Sequence, residues 1–209
     1  PELGASGAGR GDIEILNLMG LQASAVGNHD LDLGTNFFNA LINAGGGWRG
    51  AQFPYLSANL DFGTDSNLAA RVVADGGDAA TQANRLSGSS VITVNGERIG
   101  IVGASTPTLA SITSTGNITV RPASTDVDAL AAEIQPKVDA LTATGIDKVV
   151  LLAHMQQISV EQALATRLRG VDLIVAGGSN TRLFDADDRI RPGDTSQGAY
   201  PLRYTSPAS

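Results

Sequence analysis

Residues 147–176 read DKVVLLAHMQQISVEQALATRLRGVDLIVA, and this stretch decides the fold class. The runs 147–153 and 171–176 carry the unbroken apolar stretches 149–153 and 173–176, as expected of strands buried on both faces. Between them Val160, Leu164 and Leu168 recur at helical spacing. Strand, helix and strand in that order predict a parallel pair joined by a right-handed crossover. Working outward, 23–26 and 55–58 also read as strands, and 91–94 and 98–103 flank Asn95-Gly96, the strongest short hairpin signal. Asp12 is expected to cap a helix ending near Gly20, with Ile15, Leu16 and Met19 on one face. A second helix is expected over 125–144, striped by Leu130, Ile134, Val138 and Leu141 and kinked or restarted at Pro136. Residues 1–11 read as a loop, 63–90 as an aperiodic excursion and 185–209 as a turn-rich tail. The whole of 1–209 therefore predicts one α/β domain with a mixed sheet.

Composition narrows the function. Of 209 residues 42% are hydrophobic, enough to bury a core, and no apolar run approaches the roughly 18 residues of a membrane span. Fourteen basic against 21 acidic residues give a net charge of −7, and no basic cluster interrupts it, which excludes nucleic acid as the expected partner. The absence of cysteine excludes disulfides, zinc ribbons and thiol catalysis. Gly7, Gly9 and Gly11 do not form a phosphate-cradling loop, because no Gly-Lys-Ser/Thr follows them. The chain opens at Pro1 and carries no signal segment, which predicts a processed or cut terminus.

The two histidines each stand just past an expected strand end: His29 after 23–26, His154 after 147–153. A third strand runs into Gly177-Gly178-Ser179-Asn180. Ligands of α/β sheets bind at the carboxyl ends of strands, so these ends predict one convergent site. The competing reading makes each histidine a loop residue satisfied by a backbone partner. The run Gly27-Asn28-His29-Asp30-Leu31-Asp32-Leu33-Gly34 fails as a calcium loop, since Leu33 stands where Gly is required and Asn39 where a bidentate Glu belongs. A His–Asp pair fits better. Asp32 is placed to orient His29 and favour an imidazolium that protonates a leaving oxygen.

Gly27 to Asp32 resembles the G-N-H-E-x-D signature of calcineurin-like metallophosphoesterases, in the branch of bacterial 5′-nucleotidases and related alkaline-phosphatase-like enzymes. Other segments match in the same order: Asp12–Gly20 and Gln22–Gly27 before the motif, Phe53–Leu60 ("P-x-L-S-A-N"), Asn95–Gly103 ("N-G-x-K-I-G-I-I-G"), Leu151–His154 ("L-x-H") and Asp172–Thr181 ("D-x-I-x-G-G-H-S-H-T"). The resemblance implies a four-layer α/β/β/α sandwich with mixed sheets, of which the N-terminal strand or strands are missing here. It implies hydrolysis of a small-molecule phosphate monoester, such as a nucleotide, by a metal-activated water, with two divalent ions (Zn, Mn, Fe or Ca) in the full-length enzyme. It makes Asn28 and His154 ligands of the second ion, Asn180 a donor to the first, His29 the proton donor and Asp32 its orienting partner. It also implies a periplasmic or extracellular location. Two departures stand out: Gly178 falls on a ligand histidine of the family pattern, and Met155-Gln156-Gln157 replaces a small residue and Gly. They leave room for a non-catalytic descendant acting as a phosphate- or nucleotide-binding scaffold.

Overall fold

The expected strand–helix–strand unit organises the computed structural model, which describes residues 7–207. In chain order the elements are α1 (Arg10–Leu18), β1 (Ser24–Ala25), α2 (Gly34–Ile42), β2 (Tyr55–Leu56), β3 (Leu60–Asp61), β4 (Gly77–Asp78), β5 (Leu86–Ser87), β6 (Ser89–Val94), β7 (Glu97–Ser105), α3 (Leu109–Ile112), β8 (Thr119–Val120), α4 (Val127–Thr142), β9 (Val149–His154), α5 (Ile158–Ala165), β10 (Leu173–Gly177), β11 (Leu183–Phe184) and β12 (Gly198–Ala199). β9, α5 and β10 form the predicted parallel crossover, with Leu173 opposite Val150 and Gly177 opposite His154. The Asn95-Gly96 hairpin joins β6 to β7 antiparallel, and both turn residues take positive φ, 51° and 84°. One sheet therefore runs β10-β9-β7-β6-β4 and is mixed, while a smaller parallel sheet runs β1-β2-β5.

The layers follow from two apolar clusters. Leu130, Ile134, Val138 and Leu141 of α4 pack with Val102, Val149 and Leu151 on one face of the larger sheet. Ile13 of α1 and Phe38 and Ile42 of α2 cover the smaller sheet at Tyr55 and Leu86. Phe38 meets Tyr55 edge to face at 5.2 Å between ring centroids. The sheets touch at Gly103, where an added Cβ would stand 2.2 Å from the Leu56 carbonyl oxygen. This is the α/β/β/α order of helix, sheet, sheet and helix.

Several local expectations change. α1 begins at Arg10 with Gly9 at its cap, so Asp12 lies in the first turn and not at the cap. Its buried residue is Ile13, whereas Ile15 and Met19 are exposed (Met19 at 76%) and Leu16 alone of the expected face packs on the core. α4 continues through Pro136 as one helix. Its packed apolar stripe, supported by the Asp126 side chain accepting from the Ala129 N–H, outweighs the single backbone bond that proline forfeits. β10 is not buried on both faces: it is the sheet edge, with Leu173 55% and Val175 49% exposed. Helix α2 had no predicted counterpart. Segment 63–90 holds short turns and contributes Leu68 and Leu86 to the core. The tail beyond 185 includes β12, paired parallel to β11. The expected loop 1–11 lies in part outside the described residues. No helix among the described residues is long and apolar enough to cross a membrane.

Candidate active site

Register brings the site together. Ser105, His154 and Gly177 occupy one row at the carboxyl ends of β7, β9 and β10. Val26, just past β1, is fastened to that row because the Ser105 hydroxyl donates to its carbonyl at 2.6 Å. Ser105 is itself held by Asn59, whose Oδ1 accepts from the Ser105 N–H at 2.8 Å and whose Nδ2 donates to the Ser105 carbonyl at 2.9 Å. Segment Phe53–Leu60 thereby supports the site from a distance in sequence, because Ser57 and Asn59 anchor the start of the Gly27 loop through Ser105.

That loop turns tightly through a 3-10 segment, His29–Leu31. Leu31 is fully buried and pins it from below. Asp30 folds back so that Oδ2 accepts from the Gly27 N–H at 2.8 Å, and burial pushes its carboxyl up to about 6 despite that bond. His29 points outward, its side chain 84% exposed, with Nδ1 2.6 Å from Asp32 Oδ2. The second Asp32 oxygen accepts from the Thr113 hydroxyl at 2.9 Å. The hydrogen bonds to His29 and then Thr113 hold the Asp32 carboxyl below its ordinary range. An ionised carboxylate only accepts, so the proton between the pair sits on Nδ1.

Behind this pair lies a second, neutral cluster. Asn28 is buried, and its Oδ1 is 2.9 Å from His154 Nε2. The Gln156 side-chain amide donates to the same Oδ1 at 2.5 Å and stands 3.2 Å from His154 Nε2. Burial first, and the charge of His29 second, push the His154 pKa down, which favours the neutral ring. The ring fits only because Gly27 is a glycine: a Cβ there would stand 2.8 Å from His154 Cε1 and 2.9 Å from Nδ1.

The donors suit part of the shell of one divalent ion. Oxygen from Asn28 and imidazole nitrogen from His154 are ordinary ligands of zinc or manganese. They do not suit a two-ion centre, which needs a bridging carboxylate. Among the described residues no three His, Cys, Asp or Glu side chains stand together as a metal group.

The structure thus unites four of the five expected residues, Asn28, His29, Asp32 and His154, around one loop. Asn180 follows β10 in the left-handed region at φ 51°, is exposed, and lines a cleft of about 670 Å³ along α5 and β10 that also takes in Gly177 and Gly178. It shows no hydrogen bond to Asn28 or His154. Sequence reasoning missed Thr113 and gave Gln156 no role. Nothing in the residues around Thr113 marks it, whereas Gln156 stands at one of the two departures from the family pattern.

No family model matches the chain. The chain is 31% identical over 193 residues to a 5′-nucleotidase of Diplobatis ommata and 30% identical over 196 residues to that of Mus musculus, covering 91% of its own length in each case. It spans 29% of the length of each of these relatives. Among solved structures, a 5′-nucleotidase precursor from Thermus thermophilus superposes with a TM-score of 0.74 at 27% identity, over 96% of this chain and 34% of that one. The NAD nucleotidase of Haemophilus influenzae shares the fold, with a TM-score of 0.67 at 22% identity, over 95% of this chain and 34% of that one.

Proposed function

Because this chain belongs to the metallophosphoesterase-type 5′-nucleotidase family, we propose that it is part of a phosphoric monoester hydrolase acting on nucleotides or related small phosphate esters. The observation that carries the reading is the His29–Asp32 pair standing on the same loop as Asn28, beside His154. A divalent cation held by Asn28 Oδ1 and His154 Nε2 would supply positive charge to a phosphoryl oxygen and acidify an attacking water.

The chain's own residues supply the proton. Asp32 fixes Nδ1 of His29 and leaves Nε2 as the nitrogen that meets the substrate. An exposed imidazolium there protonates the departing alkoxide as the phosphorus–oxygen bond breaks. Thr113 keeps the Asp32 carboxylate from rotating, so its free energy goes into orientation. Asn59 and Ser105 hold the loop in register with β9 through the Val26 carbonyl. Export is proposed on the same footing, the Thermus relative being described as a precursor.

A second reading, a non-catalytic phosphate-binding scaffold, draws on the neutrality of the Asn28–His154–Gln156 cluster. Phosphate release from AMP by the full-length protein, with and without chelator, separates the two. Chelator-sensitive turnover abolished by His29→Ala supports the hydrolase; nucleotide binding without turnover supports the scaffold.

A further inference from the structure

Three side-chain groups meet behind the His29 loop, and one of them has no role in the mechanism above. The heteroatoms of Asn28, His154 and Gln156 form a triangle with sides of 2.5, 2.9 and 3.2 Å. Ligand atoms about 2.0–2.2 Å from a common ion stand about 3.3–3.6 Å apart in a tetrahedral shell, so the hydrogen-bonded triangle is tighter than a coordination face and its donors must spread to admit an ion. The backbone of Gln156 is held in the left-handed region at φ 68°, a conformation that costs a non-glycine residue on the order of 1 kcal/mol. Position 178 faces the same triangle. A Cβ on Gly178 would stand 2.9 Å from His154 Nε2 and 3.1 Å from the Gln156 backbone nitrogen, and its φ of 85° resists any side chain. The imidazole that the family resemblance leads one to expect at 178 therefore has no room, while the side-chain amide of Gln156 reaches the same ring nitrogen.

We propose that Gln156 is a ligand of a single divalent cation, completing with Asn28 Oδ1 and His154 Nε2 a three-donor face in place of the side chain that position 178 lacks. The proposal rests on the phosphoesterase reading and assigns one residue within it. The amide suits this because it has two faces. With no ion its NH2 donates to Asn28 Oδ1; rotation about its last torsion exchanges NH2 for Oε1, which then faces the ion. All three donors are neutral, so the site takes a borderline ion such as Zn²⁺ with modest affinity and leaves the ion's charge available to an anionic substrate.

Calorimetric titration of the 209-residue chain with Zn²⁺ and Mn²⁺, in the wild type and in Gln156→Gly and Gln156→Glu, tests this. Glycine suits φ 68°, so Gln156→Gly should melt at or above the wild-type temperature while losing the ligand. Its Zn²⁺ affinity should fall by at least the roughly 10–100-fold that loss of even an outer-shell partner brings. Gln156→Glu should bind more tightly than wild type, by supplying an anionic oxygen. Equal or tighter binding by Gln156→Gly would overturn the proposal and make Gln156 a plug. A wild-type chain that binds neither ion would overturn it together with the metal-assisted reading beneath it, an outcome distinct from binding that ignores residue 156.

Discussion

Asn28 and His29 are neighbours in sequence and opposites in setting. Asn28 is 8% exposed and tied to His154 and Gln156 by neutral hydrogen bonds, whereas His29 stands in solvent and is tied to an ionised Asp32. A single step along a 3-10 turn carries the chain from one environment to the other, because Leu31 and Asp30 are both turned inward. An exposed ion pair contributes little to stability. The Asp32 contact is therefore explained by orientation of the ring. The buried amide–imidazole cluster works the other way: its polar atoms must be satisfied to be buried at all. The outer half of the site handles protons, and the inner half offers neutral donors to a cation.

The sharpest break in that contrast comes from His29→Ala. In the full-length protein kcat should fall by roughly 10²–10⁴, the usual worth of a positioned proton donor, with Zn²⁺ affinity unchanged. The loss should be smaller on nitrophenyl phosphate than on AMP, since a good leaving group needs less protonation; equal losses on both would reassign His29 to binding. Asp32→Asn should follow in the same direction with a smaller drop.

Gly27→Ala attacks the inner half. Its new Cβ overlaps the His154 ring, so overpacking should lower stability by about 1–3 kcal/mol and weaken ion binding, while the His29–Asp32 contact persists. Thermal melts and Zn²⁺ titration read the two effects separately. Thr113→Val, which removes one hydrogen bond to Asp32, should lower kcat by about tenfold or less. Thr113→Ser should restore it.

The last expected effect is on stability against pH. Burial raises the Asp30 carboxyl from 3.8 to about 6, so the folded chain holds a proton that the unfolded chain has released. This contribution is fully present below about pH 4 and is lost as pH rises through about 6. Asp30→Asn keeps an oxygen for the Gly27 N–H and should flatten that slope, melting higher than wild type at pH 7.5 and little differently at pH 4. Glu161, buried and raised to about 7, leaves a residual slope of the same sign.

How far the sequence spoke depended on whether a local pattern carried the information. The β9–α5–β10 crossover and the Asn95-Gly96 hairpin were legible because period and turn chemistry are local. The exposure of β10 was not, since an apolar run is the same string of letters at a sheet edge as at its centre. α1 misled for a related reason: its exposed Ile15 and Met19 obey helical spacing, yet Ile13 is the residue it buries. In the site, the pairing of His29 with Asp32 follows from a three-residue spacing on a turn. The contacts of Thr113 with Asp32 and of Gln156 with Asn28 span 81 and 128 residues, which no local reading reaches.

The two-histidine composition offers the most direct test of the division between outer and inner halves. Imidazole ¹⁵N spectra of the chain contain only two ring systems, and Zn²⁺ can be added stepwise. The account predicts that the His154 ring nitrogens shift on addition of Zn²⁺ while His29 keeps a protonated Nδ1 and moves little. Zn²⁺-dependent shifts centred on His29, with His154 unmoved, would contradict it.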